Sequence, residues 1–373
     1  MRGKIRIGII HLGIYPIFND TCRHTFGGAE VQLYHIGRKL KENPLFEVTI
    51  FVGDFDQPQV EYYDGIRLIK TVRADSPHSL FLQFIRAVKL FHCLLKYDVD
   101  LFIQRTASLG TGLIAFICKL FRKKFIYMIA HDWDCNRLFE KQNNFIVRQV
   151  YRYGLKNAHS IIAQSDLQKQ LLLDNYHLPA KTLPSMYPIR DLKKSDRKYY
   201  LWIARGEPWK QPEIFFELAD LNPDRDFLMV CTKALGKDDY YEDIKKMAAA
   251  RGNVQFFEFV PLLKIQDVFS RAILFINTSK YEGFPNTFIQ AGMTKTPILS
   301  LNVDPDNFIV KKKCGFFCEN DKAKMQTFLK EAYINQTALS DYGENLYSYI
   351  KDRHDIEKYI GLLEKEINTL CAE

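Results

Sequence analysis

Short apolar runs alternate with longer stretches of helical periodicity along nearly the whole chain. In the first half KIRIGII, FEVTIFV, IRLIK, DLFIQ, KFIYMIA and SIIAQ are almost uninterrupted, the pattern of strands buried on both faces. Helical stretches begin between them near Gly28, Ser79, Gly110, Asn144 and Asp166. The segment LPSMYPIRDLKKSDRK, Leu183 to Lys198, breaks the rhythm with two prolines and a charge cluster, as a linker does. A second series follows, YYLWIA, DFLMVC, VQFFEF, AILFINT, PILSL and a weaker CGFFC, and residues 337–371 read as helix. Strand and helix in alternation predict an α/β protein with parallel sheets covered by helices. The expected division is a Rossmann-like domain over residues 1–185, a second over 186–350, and a C-terminal helix over 351–373 placed to pack back on the first.

Composition changes this picture little. With 373 residues and 47% hydrophobic content the chain can fill two cores. No uninterrupted apolar run reaches the roughly 18 residues of a membrane-spanning helix, and the longest candidate, Leu109 to Phe121, carries Lys119. MRGKIRIGIIHLG has basic residues before an apolar run, but Arg6 interrupts it and no small-residue cleavage site follows, so it reads as a first strand and not a signal peptide. Of eight cysteines only Cys314 and Cys318 are close in sequence, without a second pair or flanking histidines; reduced core thiols in a cytoplasmic protein are expected.

Charge is unevenly spread. Residues 1–188 hold 25 Lys and Arg against 16 Asp and Glu, and residues 189–373 hold 27 against 28. In the basic half LFLQFIRAVKLFHCLLK and FRKKF mix cations with Phe and Leu, a composition that suits either a helix lying on an anionic membrane or an amphipathic core helix with solvated charges. No nucleic-acid-binding motif accompanies the charge, so nucleic acid is not expected as a partner.

Three places carry candidate chemistry. No G-x-G-x-x-G follows the first strand; a long loop instead reaches Gly27 and Gly28 directly before a helix, where backbone N–H groups favour an anion. YYLWIA runs straight into RGEPWKQP, placing Arg205 and Lys210 at the carboxyl end of a parallel strand, where two cations can clamp a diphosphate. After AILFINT, the residues Glu282, Gly283, Phe284, Pro285, Asn286 and Thr287 lead into a helix whose first N–H groups can receive phosphate oxygens. Glu282 then points at whatever the phosphates carry, and Gln290, about two turns along the helix, can bond a ribose hydroxyl. Capping of that helix by Asn286 or Thr287, with a solvated Glu282, is the structural alternative.

FGGAE, AHD (Ala130 to Asp132), IARGEPWK and NTSKYEGFPNTFIQAGMTKTPIL together resemble glycosyltransferase family 4, the retaining group 1 glycosyl transferases of the GT-B fold, over nearly the whole chain and in the same order. The EGFPNTF element is the most specific part. The resemblance implies two Rossmann-like domains facing across a cleft and transfer of a sugar from a nucleotide diphosphate donor bound there. By that similarity Arg205 and Lys210 match the cations on the diphosphate, Gly28 the backbone approaching the phosphates, and His131 a histidine near the donor sugar. Glu282 matches the first glutamate of an E-x7-E motif, and Phe284 to Thr287 the helix start under the phosphates. The second glutamate of that motif is Gln290 here, and the usual glycine before the arginine is Ala204.

A metal-independent, retaining transferase is the resulting expectation. Arg205, Lys210 and the helix start stabilise the departing diphosphate, and the acceptor hydroxyl attacks from the same face. The nucleotide sugar, UDP-linked by expectation, is a substrate, and no cofactor is expected. The expected acceptor is a saccharide or lipid-linked saccharide of surface polysaccharide or lipopolysaccharide synthesis, met at the inner face of the membrane through the basic domain. A nucleotide-sugar 2-epimerase of the same fold and a noncatalytic sugar-nucleotide-binding subunit are the competing readings.

Overall fold

The computed structural model describes residues 3–372 apart from 20, 23, 74–79, 193, 194, 235 and 335; the side chains of 80, 81, 332–334 and 336 also stand outside the description. The expected helix start at Ser79, and Lys193 and Lys194 of the linker, lie outside the described residues. The chain divides into two compact units, unit 1 comprising Met1–Pro188 with Ile356–Glu373, and unit 2 comprising Ile189–Asp355.

Unit 1 is built on an eight-stranded sheet. Its strands are β1 Ile5–Ile10, β2 Phe46–Val52, β3 Val60–Tyr63, β4 Ile66–Lys70, β5 Leu101–Arg105, β6 Lys124–Met128, β7 Ser160–Ala163 and β8 Lys181–Thr182, in the order β3-β4-β2-β1-β5-β6-β7-β8. Only β3 runs antiparallel to its neighbour. Every position of β5 and β7 is buried, which explains why these strands read as continuous apolar runs: helices cover both faces. Successive side chains feed opposite layers. Ile50 and Ile103 pack with Leu33, Ile36 and Leu40 of the helix Gly28–Glu42 and with Ile360, Leu363 and Ile367 of the helix Ile356–Ala372. Phe51 and Phe102 pack on the other side with Leu90, Ile114, Ile117 and Tyr151. These come from the helices Leu80–Lys96, Leu109–Leu120 and Phe145–Lys156. The last two approach backbone to backbone, since a Cβ on Gly112 would meet the Val150 carbonyl oxygen at 2.3 Å and one on Gly154 the Thr111 carbonyl carbon at 2.7 Å.

Unit 2 carries a six-stranded, wholly parallel sheet. Its strands are β9 Tyr199–Arg205, β10 Phe227–Thr232, β11 Val254–Phe257, β12 Ala272–Asn277, β13 Ile298–Ser300 and β14 Gly315–Phe317, in the order β11-β10-β9-β12-β13-β14. Trp202, Phe215, Phe227, Met229 and Leu274 are among the buried residues of its core. The order is that of a doubly wound nucleotide-binding sheet, reversing direction between β9 and β12; in unit 1 the same reversal falls between β1 and β5. Ligands of such sheets bind outside the carboxyl ends of the strands flanking the reversal, so each unit has one such crevice.

Candidate active site

In unit 2 the crevice is formed by the loops after β9 and β12. Arg205 closes β9, and Gly206 continues the sheet by donating to the Thr232 carbonyl (2.8 Å). Residues Pro208–Lys210 form one tight turn, and Gln211, at φ 50°, swings the chain into the helix Pro212–Asp220. Beyond β12, Thr278 ties the loops together: its hydroxyl accepts from Trp202 Nε1 (2.9 Å) and donates to the Lys210 carbonyl (2.6 Å). Lys280 N–H donates to the Trp209 carbonyl (2.9 Å), and the rings of Trp209 and Tyr281 stack at 5.3 Å.

This bracing brings Lys210 and Glu282, 72 residues apart, into an ion pair. Their side chains keep 13% and 11% of their exposure, so the pair is sheltered without being sealed. The Glu282 oxygen that meets Lys210 also accepts from Ser279 Oγ (2.8 Å), and the ammonium sits 4.0 Å from the Trp209 ring centre. Burial depresses the Lys210 pKa; Glu282 opposes that shift and Arg205 adds to it.

The helix that follows spans Asn286–Met293. Pro285 is its N-cap and offers no capping side chain, so Asn286 and Thr287 are the first helical residues and not its caps. Gly283 and Phe284 precede it; Phe284 is buried against His354 (4.1 Å between ring centres), Phe308 and Phe288 and pins the loop to the unit. Gln290 is 6% exposed, which places it in the interior wall and not on the open surface.

The other predicted residues belong to unit 1. His131, three residues beyond β6, caps the turn Asp132–Asp134 by accepting the Trp133 N–H on Nδ1 (3.3 Å), which leaves the neutral ring's proton on Nε2. Below it the buried Asp134 carboxylate accepts from Ala130 N–H (2.8 Å) and His131 N–H (3.2 Å), and Gln164 donates to the carbonyls of Ile129 (3.1 Å) and Ala130 (2.8 Å). Burial pushes the Asp134 pKa up to about 6, against those N–H groups and the charge of Arg105. Gly27 is the N-cap of the helix Gly28–Glu42, and its N–H donates to the Glu30 carboxylate (3.0 Å), so this helix start already holds a carboxylate of its own chain.

Sequence reasoning missed two residues at the unit 1 crevice. Glu30, three positions after Gly27, carries the signal of a helix-capping acid. Arg105 closes β5 as Arg205 closes β9, and a cation at a parallel strand's carboxyl end was the available clue.

Two sheets of one winding order, each with polar side chains at the point of reversal, give the GT-B fold, and solved structures with that fold superpose on nearly the whole chain. Sucrose-phosphate synthase of Thermosynechococcus elongatus matches with a TM-score of 0.82 at 15% identity, covering 99% of this chain and 100% of that one. Anabaena HepE, solved with UDP and glucose, matches with a TM-score of 0.75 at 16% identity, covering 98% of this chain and 99% of that one. The model of glycosyltransferase family 4 matches residues 26–192 and that of glycosyl transferases group 1 matches residues 188–348; the chain belongs to the group 1, family 4-like glycosyltransferases. Among curated proteins, poly(ribitol-phosphate) alpha-N-acetylglucosaminyltransferase of Staphylococcus aureus is 22% identical over 255 residues, 65% of this chain and 49% of that protein. The chain thus spans about half the length of that relative.

Proposed function

We propose that this glycosyltransferase moves a sugar with retention of configuration from a UDP-sugar to a saccharide or lipid-linked saccharide of a surface polysaccharide. The observation that carries this reading is the sheltered Lys210–Glu282 pair beside Arg205 at the reversal of the unit 2 sheet. A diphosphate entering there meets two cations, one of them held in place by a carboxylate. Donor binding lets Lys210 exchange Glu282 for phosphate oxygens and frees Glu282 to accept from the hydroxyls of the donor sugar. As the sugar–phosphate bond ionises, Arg205, Lys210 and the N–H groups that open the helix Asn286–Met293 stabilise the growing charge on the leaving phosphate. The acceptor hydroxyl attacks from that same face and gives its proton to the departing phosphate.

The two cations serve where other enzymes use a metal ion, so the reaction is metal-independent in this reading. Gly283, Phe284, Pro285, Asn286 and Thr287 shape the phosphate seat, and Gln290 bonds the ribose. The UDP and glucose held by Anabaena HepE support the choice of base, and the acceptor named for the Staphylococcus aureus relative supports a surface polymer. No described helix is long and apolar enough to cross a membrane. Contact with an anionic membrane is proposed to run through the exposed Leu82, Phe84, Leu120, Phe145 and Ile146 of the basic unit. Thermal stabilisation across a panel of nucleotide sugars, followed by determination of the product's anomeric configuration, tests the reading. UDP-sugars are expected to stabilise most and to give a retained linkage; stabilisation by GDP-mannose alone, or inversion, overturns it.

A further inference from the structure

The loops after β9 and β12 meet through Thr278, Lys280, Tyr281 and Glu282, and the first of these holds Lys210 by its main chain. The turn Pro208–Lys210 is closed by its own backbone: Lys210 N–H donates to the Glu207 carbonyl (2.9 Å) and Gln211 N–H to that of Pro208 (3.3 Å). The Lys210 carbonyl takes its bond from outside this segment. Pro212 brings no N–H, and Ile214, in the first turn of the helix Pro212–Asp220, donates to the Gln211 carbonyl (3.2 Å). Thr278 supplies the bond from the other loop.

The direction of that bond follows from the donors available. Thr278 is fully buried, and its hydroxyl has a single proton to give. Trp202 Nε1 can only donate, so the hydroxyl accepts there (2.9 Å) and its proton goes to the Lys210 carbonyl (2.6 Å). Trp202, itself 2% exposed on β9, anchors the hydroxyl in the core of the unit. The next residue holds the other half of the ion pair. Ser279 Oγ donates to the Glu282 carboxylate (2.8 Å), while Ser279 N–H donates to Asn277 Oδ1 (3.2 Å) and fixes the serine in turn. Adjacent residues thus grip Lys210 by its main chain and Glu282 by its side chain, and one dipeptide sets the spacing of the pair. A lysine side chain is long and flexible, so the place of its ammonium depends on where its backbone is held.

We infer that Thr278 is a positioning residue for the transfer reaction: its hydroxyl, anchored by Trp202, fixes the Lys210 main chain so that the ammonium stands where it meets both Glu282 and the diphosphate. The link to transfer rests on the transferase reading, whereas the hold on Lys210 does not.

Three variants of the full chain separate this from a merely structural tie. Thr278→Val keeps the shape and removes both bonds, Thr278→Ser keeps both, and Trp202→Phe removes the indole donor while leaving the bond to Lys210. With release of UDP from UDP-glucose or UDP-N-acetylglucosamine as the assay, Thr278→Val is expected to lower kcat/KM by about tenfold or more. Thr278→Ser and Trp202→Phe should stay within about threefold of wild type, although Trp202→Phe lowers the melting temperature. Wild-type kinetics in Thr278→Val overturn the inference, as does an equal fall in Thr278→Ser or Trp202→Phe. A second readout needs no turnover. Lys210 is faced by Glu282, Arg205 and Glu207, and burial, the largest influence, lowers its pKa. Release to water should therefore move its titration midpoint up toward the ordinary lysine range in Thr278→Val and leave it low in Thr278→Ser. The midpoint is followed by NMR of the lysine ε-methylene groups, the signal being assigned from Lys210→Arg. Identical midpoints in wild type and Thr278→Val overturn the hold on Lys210. Should Thr278→Val not fold, Thr278→Ala takes its place with the same expectations. Absence of turnover with every nucleotide sugar, beside the upward shift of the midpoint, would refute the transferase reading and leave the hold on Lys210 standing.

Discussion

The two crevices share one winding order and differ in how their charge is held. In unit 2, Lys210 pairs with Glu282, which also accepts from Ser279 Oγ, and the lysine ammonium lies over the Trp209 ring. In unit 1, Arg105 is 4% exposed, its Nε has no hydrogen-bond partner among the described residues, and Asp134 and Glu30 face its charge. The first arrangement is a sheltered pair whose two charges offset one another. In the second, burial works against the cation, and Asp134, Tyr127 and Glu30 act in its favour. One winding order thus places a cation near the reversal of each sheet, once in a direct ion pair and once facing carboxylates that accept from backbone N–H groups.

The largest effect that tests this contrast is at Lys210. Lys210→Ala should lower kcat/KM by about 10²–10³-fold, near 3 kcal/mol, on the scale of a lost donor to a developing anion. Unchanged steady-state kinetics would remove the lysine from the chemistry. Because burial depresses its pKa, the charged form is lost as pH rises through a value below the ordinary lysine range, so the alkaline limb of the kcat/KM profile should begin earlier than a free lysine would set it. The close helix pair of unit 1 comes next: Gly112→Ala drives a methyl group into the Val150 carbonyl and should cost about 1–3 kcal/mol, read as a lower denaturation midpoint. An unshifted midpoint would mean that the two helices separate freely.

Smaller effects sharpen the picture. Gln290→Glu places a carboxylate in an interior wall and should change donor affinity by no more than about tenfold with kcat preserved; a collapse of kcat would give the residue a part in the chemistry itself. Asp134 should contribute least, and with a definite sign. Its folded-state pKa is raised to about 6, so its contribution to stability is fully present below the ordinary aspartate pKa and is lost as pH rises through about 6. Melting temperatures from pH 3 to 7 should show that loss in wild type and not in Asp134→Asn; parallel curves would place the pH dependence elsewhere.

The strands that carry these sites were legible because burial on both faces writes them as unbroken apolar runs. β3 and β8 escaped for the converse reason: VEYY is half exposed on a sheet edge, and Lys181–Thr182 is too short to leave a period. Arg205, Lys210 and Glu282 could be named because each stands just beyond a recognisable strand. Their pairing could not, since it depends on β9 and β12 lying side by side across 72 residues. Arg105 stayed hidden because a single arginine in IQRTAS looks like any solvated cation until the fold leaves it 4% exposed. Gln290 stood out as a substituted motif position, but its burial depends on how the helix Asn286–Met293 lies against its unit.

The return of Ile356–Ala372 to unit 1 has a consequence for biosynthesis. Leu363 and Ile367 complete a layer begun by Ile7 and Ile9, so that layer stays open until the ribosome has made everything between. Unit 2 is contiguous and draws on no segment outside itself. Closing unit 1 therefore requires the last helix to be made, whereas closing unit 2 requires nothing beyond Asp355.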